Sequence, residues 1–170
     1  NATGIPTAYV VHEWRRVRRD SRGDYAGGGY IMLCNHQQPG STAGLIAHAG
    51  PDHTDRLRRW GQLGSVLSVI VAEHPGRVFL GEDGLRRTSY RVRGEDALKA
   101  VDYLKNAARI FLAAGAREVW IPDAWGTRVR NEAEIESLIT LRSVLPNAQI
   151  CLGTHLLGTA PIGTDPEASF

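Results

Sequence analysis

Cysteine is scarce in this chain, and what is missing around it is informative. Cys34 and Cys151 are the two cysteines in 170 residues. They lack the close pairing of a zinc site and are too few for a disulfide framework, which favours a reducing compartment such as the cytoplasm. Long apolar runs are also missing. Stretches such as Val66 to Ala72 fall far short of the roughly 20 residues a membrane helix needs, so no membrane span is expected. Neither charge sign dominates: 20 basic against 18 acidic residues leave a net charge of +2, which gives no reason to expect nucleic acid or an anionic membrane. No signal-peptide pattern is visible. The dinucleotide fingerprint is absent too. Gly27 to Gly29 do not match G-x-G-x-x-G and do not lie between a strand and a helix, so they form no pyrophosphate cradle.

What remains is an ordinary globular composition, 42% hydrophobic and 22% charged, sufficient for one domain around one core. The early chain offers a short strand over Tyr30 to Cys34, a helix start at Pro39 to Thr42 leading into Ala43 to Ala49, and a helix from Pro51 towards Trp60, with the proline in a first turn where its missing N–H costs nothing. The β-branched run Ser65 to Val71 predicts a buried strand. Arg77 to Leu80 and Thr88 to Val92 follow across short turns at His74 to Gly76 and Gly81 to Gly84. Three strands so joined predict an antiparallel meander, because parallel neighbours need long crossovers.

From Glu95 to Ala114 the period changes. Ala97, Leu98, Val101, Leu104, Ala108, Phe111 and Leu112 recur at three- and four-residue steps, predicting an amphipathic helix with Glu95 and Asp96 at its positive end and Gly115 as its stop. A strand over Arg117 to Ile121 comes next. Asn131 then caps a helix from Glu132 to about Val144, with Glu134 completing a capping box. Gln149 to Leu152 predict a last strand. The whole is read as one α+β unit over residues 1–170, an antiparallel sheet covered on one face by helices.

Chemistry is thinly signposted. His48 and His53 flank Asp52 but lie five apart with Pro51 between them, unlike the convergent ligands of a metal centre. His12, His36 and His74 are isolated and read as structural or exposed. The basic run Arg15 to Arg19 is followed by Asp20 and Asp24 and has no interleaved aromatic platform, so a solvated strand end or domain contact fits better than nucleic-acid binding. His155 follows a predicted strand and opens a loop fixed by Pro161 and Pro166, a setting that suits a seam between domains.

The run His155 to Pro166, HLLGTAPIGTDP, resembles the H-x-x-G-T-x-x-M-G-x-D-P segment of the glucose–methanol–choline (GMC) family of FAD-dependent oxidoreductases, with Ile162 where Met is usual. His74 to Leu80 is similar to the family's P-x-G-x-V-x-L strand pair, Tyr90 to Val92 with Asp96 to the strand and helix start that come next, and Leu112 to Ala116 to the A-A-G-A end of its long helix. These pieces fall in the family's order over roughly residues 64–166. Before them, Pro39 to Ser41 and Trp60 to Gly64 resemble the long-chain alcohol oxidase branch.

The resemblance implies a substrate domain, an antiparallel sheet roofing the reacting face of a flavin. It implies hydride transfer from an alcohol CH–OH to FAD, with the proton-abstracting His beyond this chain. The chain begins at Asn1 and ends four residues after Pro166, and on this resemblance it is expected to be a partial domain. FAD is then expected in the parent protein and none on this piece alone. Its partners would be the FAD-binding part of the same polypeptide and a small-molecule alcohol. His155, Gly158 and Thr159 would be active-site-adjacent, with no catalytic residue in the chain. Tyr30, Met32, Val69 and Val71 are candidates for an apolar wall against the alcohol's tail, core packing being the alternative for each. A non-catalytic α+β binding subunit or interaction module is the rival reading of the whole.

Overall fold

The computed structural model describes residues 8–10, 18–19, 21, 25–35, 37–46 and 49–149. The chain divides into two compact units, residues 1–74 with 91–150 and residues 75–90 with 151–170. The described elements are strands β1 (Ala8–Val10), β2 (Arg18–Arg19), β3 (Tyr25–Gly27) and β4 (Tyr30–Cys34), helices α1 (Pro39–Leu45) and α2 (Pro51–Arg58), and strands β5 (Val66–Ile70), β6 (Arg77–Leu80) and β7 (Arg86–Ser89). Helix α3 (Glu95–Ala113), strands β8 (Val119–Trp120) and β9 (Arg128–Val129), and helix α4 (Glu132–Leu138) follow. Helices and antiparallel strand pairs make an α+β protein, as the sequence predicts. No described helix is long and apolar enough to cross a membrane.

In the first unit, β4 is the central strand of an antiparallel sheet ordered β1-β4-β5. Tyr30 lies opposite Ile70, Ile31 opposite Val69 and Met32 opposite Ser68. Residues paired across a ladder share a face, so Tyr30, Met32, Val66 and Ile70 face α3, where they pack with Ala107 and Tyr103. The predicted three-strand meander is corrected here. β5 pairs with β4, while β6 and β7 form a two-stranded ribbon of their own. The reason lies at the first turn: the backbone N–H groups of Glu73 and His74 both donate to the Asp96 carboxylate. Donors committed to a side chain cannot extend a ladder.

Helix α3 organises the unit because it is apolar on two sides. Ala97, Ala100, Leu104 and Ala108 pack with Val119, Ile121, Val129, Ile135, Ile139 and Val144 from β8, β9 and the region of α4. Small side chains along α3 let those neighbours approach closely. The helix ends as predicted: Gly115 takes φ 89°, a left-handed value that glycine adopts without a Cβ clash. Leu98 departs from the predicted stripe and is half exposed, whereas Lys99 beside it is fully buried.

The predicted helix from Glu132 to Val144 is instead α4 followed by a 3-10 turn over Leu141–Val144. Thr140 sits between them in an extended conformation, and its hydroxyl accepts from the Arg142 N–H. A side chain that offers the backbone a local acceptor favours a break over a continuous helix. Asn131 caps α4 as predicted, accepting from the Glu134 N–H at 3.1 Å. The reciprocal bond shifts by one residue: Glu134 accepts from the Arg130 N–H at 2.7 Å and from the Asn131 amide at 2.9 Å.

Pro39 and Pro51 both sit in first turns. Arg56 of α2 stacks on Trp120 at 4.4 Å and pairs with Asp52 at 2.7 Å, and Asp52 also accepts from Arg128. This knot ties α2 to the β8–β9 hairpin.

Of the second unit, residues 75–90 are described. Phe79 pairs with Arg87 and Leu80 with Arg86 in the β6–β7 ladder. Gly81 to Gly84 is the hairpin turn, as predicted, closed by the Gly81 N–H to Leu85 carbonyl bond at 2.8 Å and braced by Asp83 against Arg87 at 2.7 Å.

Candidate functional site

The four wall candidates do not form one wall. Tyr30 and Met32 are each 2% exposed and lie under α3. The Tyr30 hydroxyl donates to Asp102 at 2.6 Å and accepts from the Asn106 amide at 3.0 Å, which fastens the sheet to the helix. The pleat turns Ile31, Leu33, Leu67 and Val69 to the opposite face. Ile31 is 39% exposed there, and Val71, one residue past the strand, is exposed as well. Of the candidates, only Val69 and Val71 therefore remain available to an open apolar surface, joined by Ile31, which the sequence reading did not single out. His155, Gly158 and Thr159 lie outside the described residues, as do Cys151, His48 and the start of the basic run at Arg15 and Arg16.

At the end of β5, beside Val71, the structure assembles a charged group that the sequence reading missed. Asp96, in the first turn of α3, is 1% exposed. It accepts from the Glu73 N–H at 3.0 Å, from the His74 N–H at 3.2 Å and from His74 Nδ1 at 2.9 Å. Lys99, one helical turn further on, is 0% exposed. Its ammonium donates to the Val71 carbonyl at 3.1 Å and to Glu73 Oε1 at 2.6 Å, and it lies 3.5 Å from Asp96 Oδ1. The buried ammonium thus has two hydrogen-bond acceptors and a second carboxylate beside it, the kind of compensation a buried lysine requires.

The protonation pattern follows from the partners. Burial alone would raise the Asp96 carboxyl. The His74 ring, the N–H groups of Glu73 and His74, and the Lys99 charge overcome that and hold it below the usual carboxylate value. An ionised carboxylate only accepts, so His74 Nδ1 carries the proton and its Nε2 is the nitrogen left to receive one. His74 is partly exposed. The arrangement is a histidine whose tautomer and ring plane are set by a buried carboxylate. Gly94 completes it: at φ 55° it forms the N-cap of α3, and a Cβ there would stand 3.1 Å from His74 Cε1.

His74, read as structural or exposed, is partly exposed and is joined to Asp96 rather than isolated. The signal available in the sequence was the Asp96 and Lys99 spacing of three on one helix, which places both at its first turns. Nothing local announced that residues 73 and 74 would meet them. His53 behaves as a structural histidine, with Nε2 at 2.9 Å from the Ala43 carbonyl. Among the described residues no three His, Cys, Asp or Glu side chains converge to hold a metal ion. Tyr103 donates to the Val66 carbonyl at 2.9 Å, and burial pushes its phenol up to about 12.

Comparison with family models, with curated proteins and with solved structures finds no match to the chain.

Proposed function

We propose that the chain is the substrate-side portion of a GMC-type, FAD-dependent alcohol oxidoreductase, in which it supplies a dry apolar surface for the alcohol. The observation that carries this reading is the second face of the sheet, where among the described residues Ile31 is exposed and Leu33, Leu67 and Val69 are partly exposed. α3 packs on one face, while the other presents Ile31, Leu33, Leu67 and Val69, as a roof over a second part of the protein requires. The ordered motifs from His74 to Pro166 add support from the sequence.

The described residues do not fit a flavin site of their own. β3 runs through Gly28 and Gly29 directly into β4, strand to strand, so no helix N-terminus opens there for a pyrophosphate. No step through the flavin is assigned to these residues, and their part is shape and exclusion of water. Bound in the complete protein, the flavin would accept the hydride from the carbinol carbon.

The test is the reading frame upstream in the encoding DNA, where a strand–turn–helix segment with G-x-G-x-x-G is expected. A frame closed upstream without it would refute the proposal. The purified chain, given FAD and an alcohol, should retain no flavin absorbance and reduce no artificial electron acceptor. Turnover by this material would refute the assignment of the flavin site elsewhere.

A further inference from the structure

An open apolar groove lies between the N-terminal half of α3 and the 3-10 turn, entirely within the first unit. It amounts to about 540 Å³. Ala97 and Val144 are buried in it, whereas Leu98, Leu141 and Leu145 along it are 50%, 52% and 51% exposed. A single exposed leucine is ordinary, but three around one depression form a contiguous patch of the kind that marks a contact surface. Among the described residues, the charged ones lining it are Arg91 and Arg93, and none is acidic. Among the described residues neither guanidinium has an ion-pair partner. Arg142, next to Leu141, is engaged elsewhere, with its guanidinium 4.3 Å over the Trp125 ring.

We propose that this groove docks a polypeptide segment that offers apolar side chains to the leucines and carboxylates to Arg91 and Arg93. Two features select that occupant. The groove is too open to enclose a small molecule, whose surface a built pocket would mostly bury. An amphipathic segment laid along it covers all three leucines at once. The two arginines, with no anion facing them among the described residues, set the sign of the partner's charge. The inference is independent of the proposed alcohol oxidoreductase role, because the sheet face of Ile31, Leu33, Leu67 and Val69 and this groove share no residue.

The experiment is fluorescence anisotropy of labelled amphipathic peptides titrated with the intact chain at low salt. The first peptide carries leucines at helical spacing flanked by glutamates, the second has the glutamates replaced by lysines, and the third has the leucines replaced by serines. The glutamate–leucine peptide should bind about tenfold more tightly than the lysine version, the size expected for two rim ion pairs. The serine version should not bind. Replacing both arginines (Arg91→Glu with Arg93→Glu) should invert the preference, and Leu141→Ser should weaken binding of both leucine peptides. All these side chains are exposed, and circular dichroism checks that the variants fold.

No binding, or binding blind to the peptide's charge, would overturn the proposal. A chain that sediments as a dimer, reverts to monomer in Leu141→Ser and ignores the peptides would give the groove to a second copy instead. Capture by anionic phospholipid vesicles without peptide binding would give it to a lipid surface.

Discussion

Replacing Asp96 by asparagine tests the charged group at the end of β5 directly. The carboxylate accepts from one ring N–H and two backbone N–H groups and lies 3.5 Å from the Lys99 ammonium. Asparagine is isosteric but keeps one acceptor oxygen. If that oxygen stays on the Glu73 N–H, the new amide N–H₂ points at the two His74 donors, and both bonds are lost. Hydrogen bonds to a charged group contribute about 1.5–3 kcal/mol each. Against this, the variant no longer buries a carboxylate. A net loss of about 3 kcal/mol is expected, within the range for breaking one side of a buried ionic group.

Urea unfolding followed by tryptophan fluorescence reads this as a fall in midpoint of about 1.5 M for a slope near 2 kcal/mol per M. The sign with pH is fixed. The folded Asp96 pKa lies below its unfolded value, so its contribution is complete above about pH 4, the unfolded pKa, and is lost as pH falls through the lower folded value. The gap between wild type and Asp96→Asn should therefore narrow from pH 7 towards about pH 2. A loss under about 1 kcal/mol at pH 7, or a gap that does not change with pH, would refute the reasoning.

Three further outcomes are expected, two at the same charged group and one at the α4 cap. Lys99→Met keeps the volume but leaves the Val71 carbonyl and the Glu73 carboxylate without their shared donor, and should cost about 3 kcal/mol in the same titration. Gly94→Ala adds a Cβ 3.1 Å from His74 Cε1 at a backbone φ of 55°; it should cost about 1–3 kcal/mol and shift the His74 ring resonances in NMR, whereas Gly115→Ala, with open space around it, should leave them in place. Asn131→Ala removes the α4 cap and should lower stability by about 1 kcal/mol, read as earlier thermal unfolding by circular dichroism.

The parts legible in advance were those with a local cause. The α3 repeat with its acidic start and Gly115 stop, the Gly81–Gly84 hairpin, the Asn131 cap and Pro51 in a first turn all depend on residues within a few positions of one another. The site was legible only in pieces. Val69 and Val71 were singled out, but the pleat separates them from Tyr30 and Met32, and a list of apolar residues carries no face until the pairing register is known.

The sequence by itself determined that this is an α+β protein and where α3 begins and ends, where α4 starts and where the Gly81–Gly84 hairpin turns, because dihedral preference, capping and hydrophobic period act over one or two turns of chain. Only the tertiary structure decided that β5 joins β4 rather than β6, that Lys99 is buried where Leu98 was expected, and that His74 meets Asp96 across 22 residues. Those outcomes depend on which distant donors and apolar faces meet, and a buried charge is tolerated only where the folded chain brings it partners.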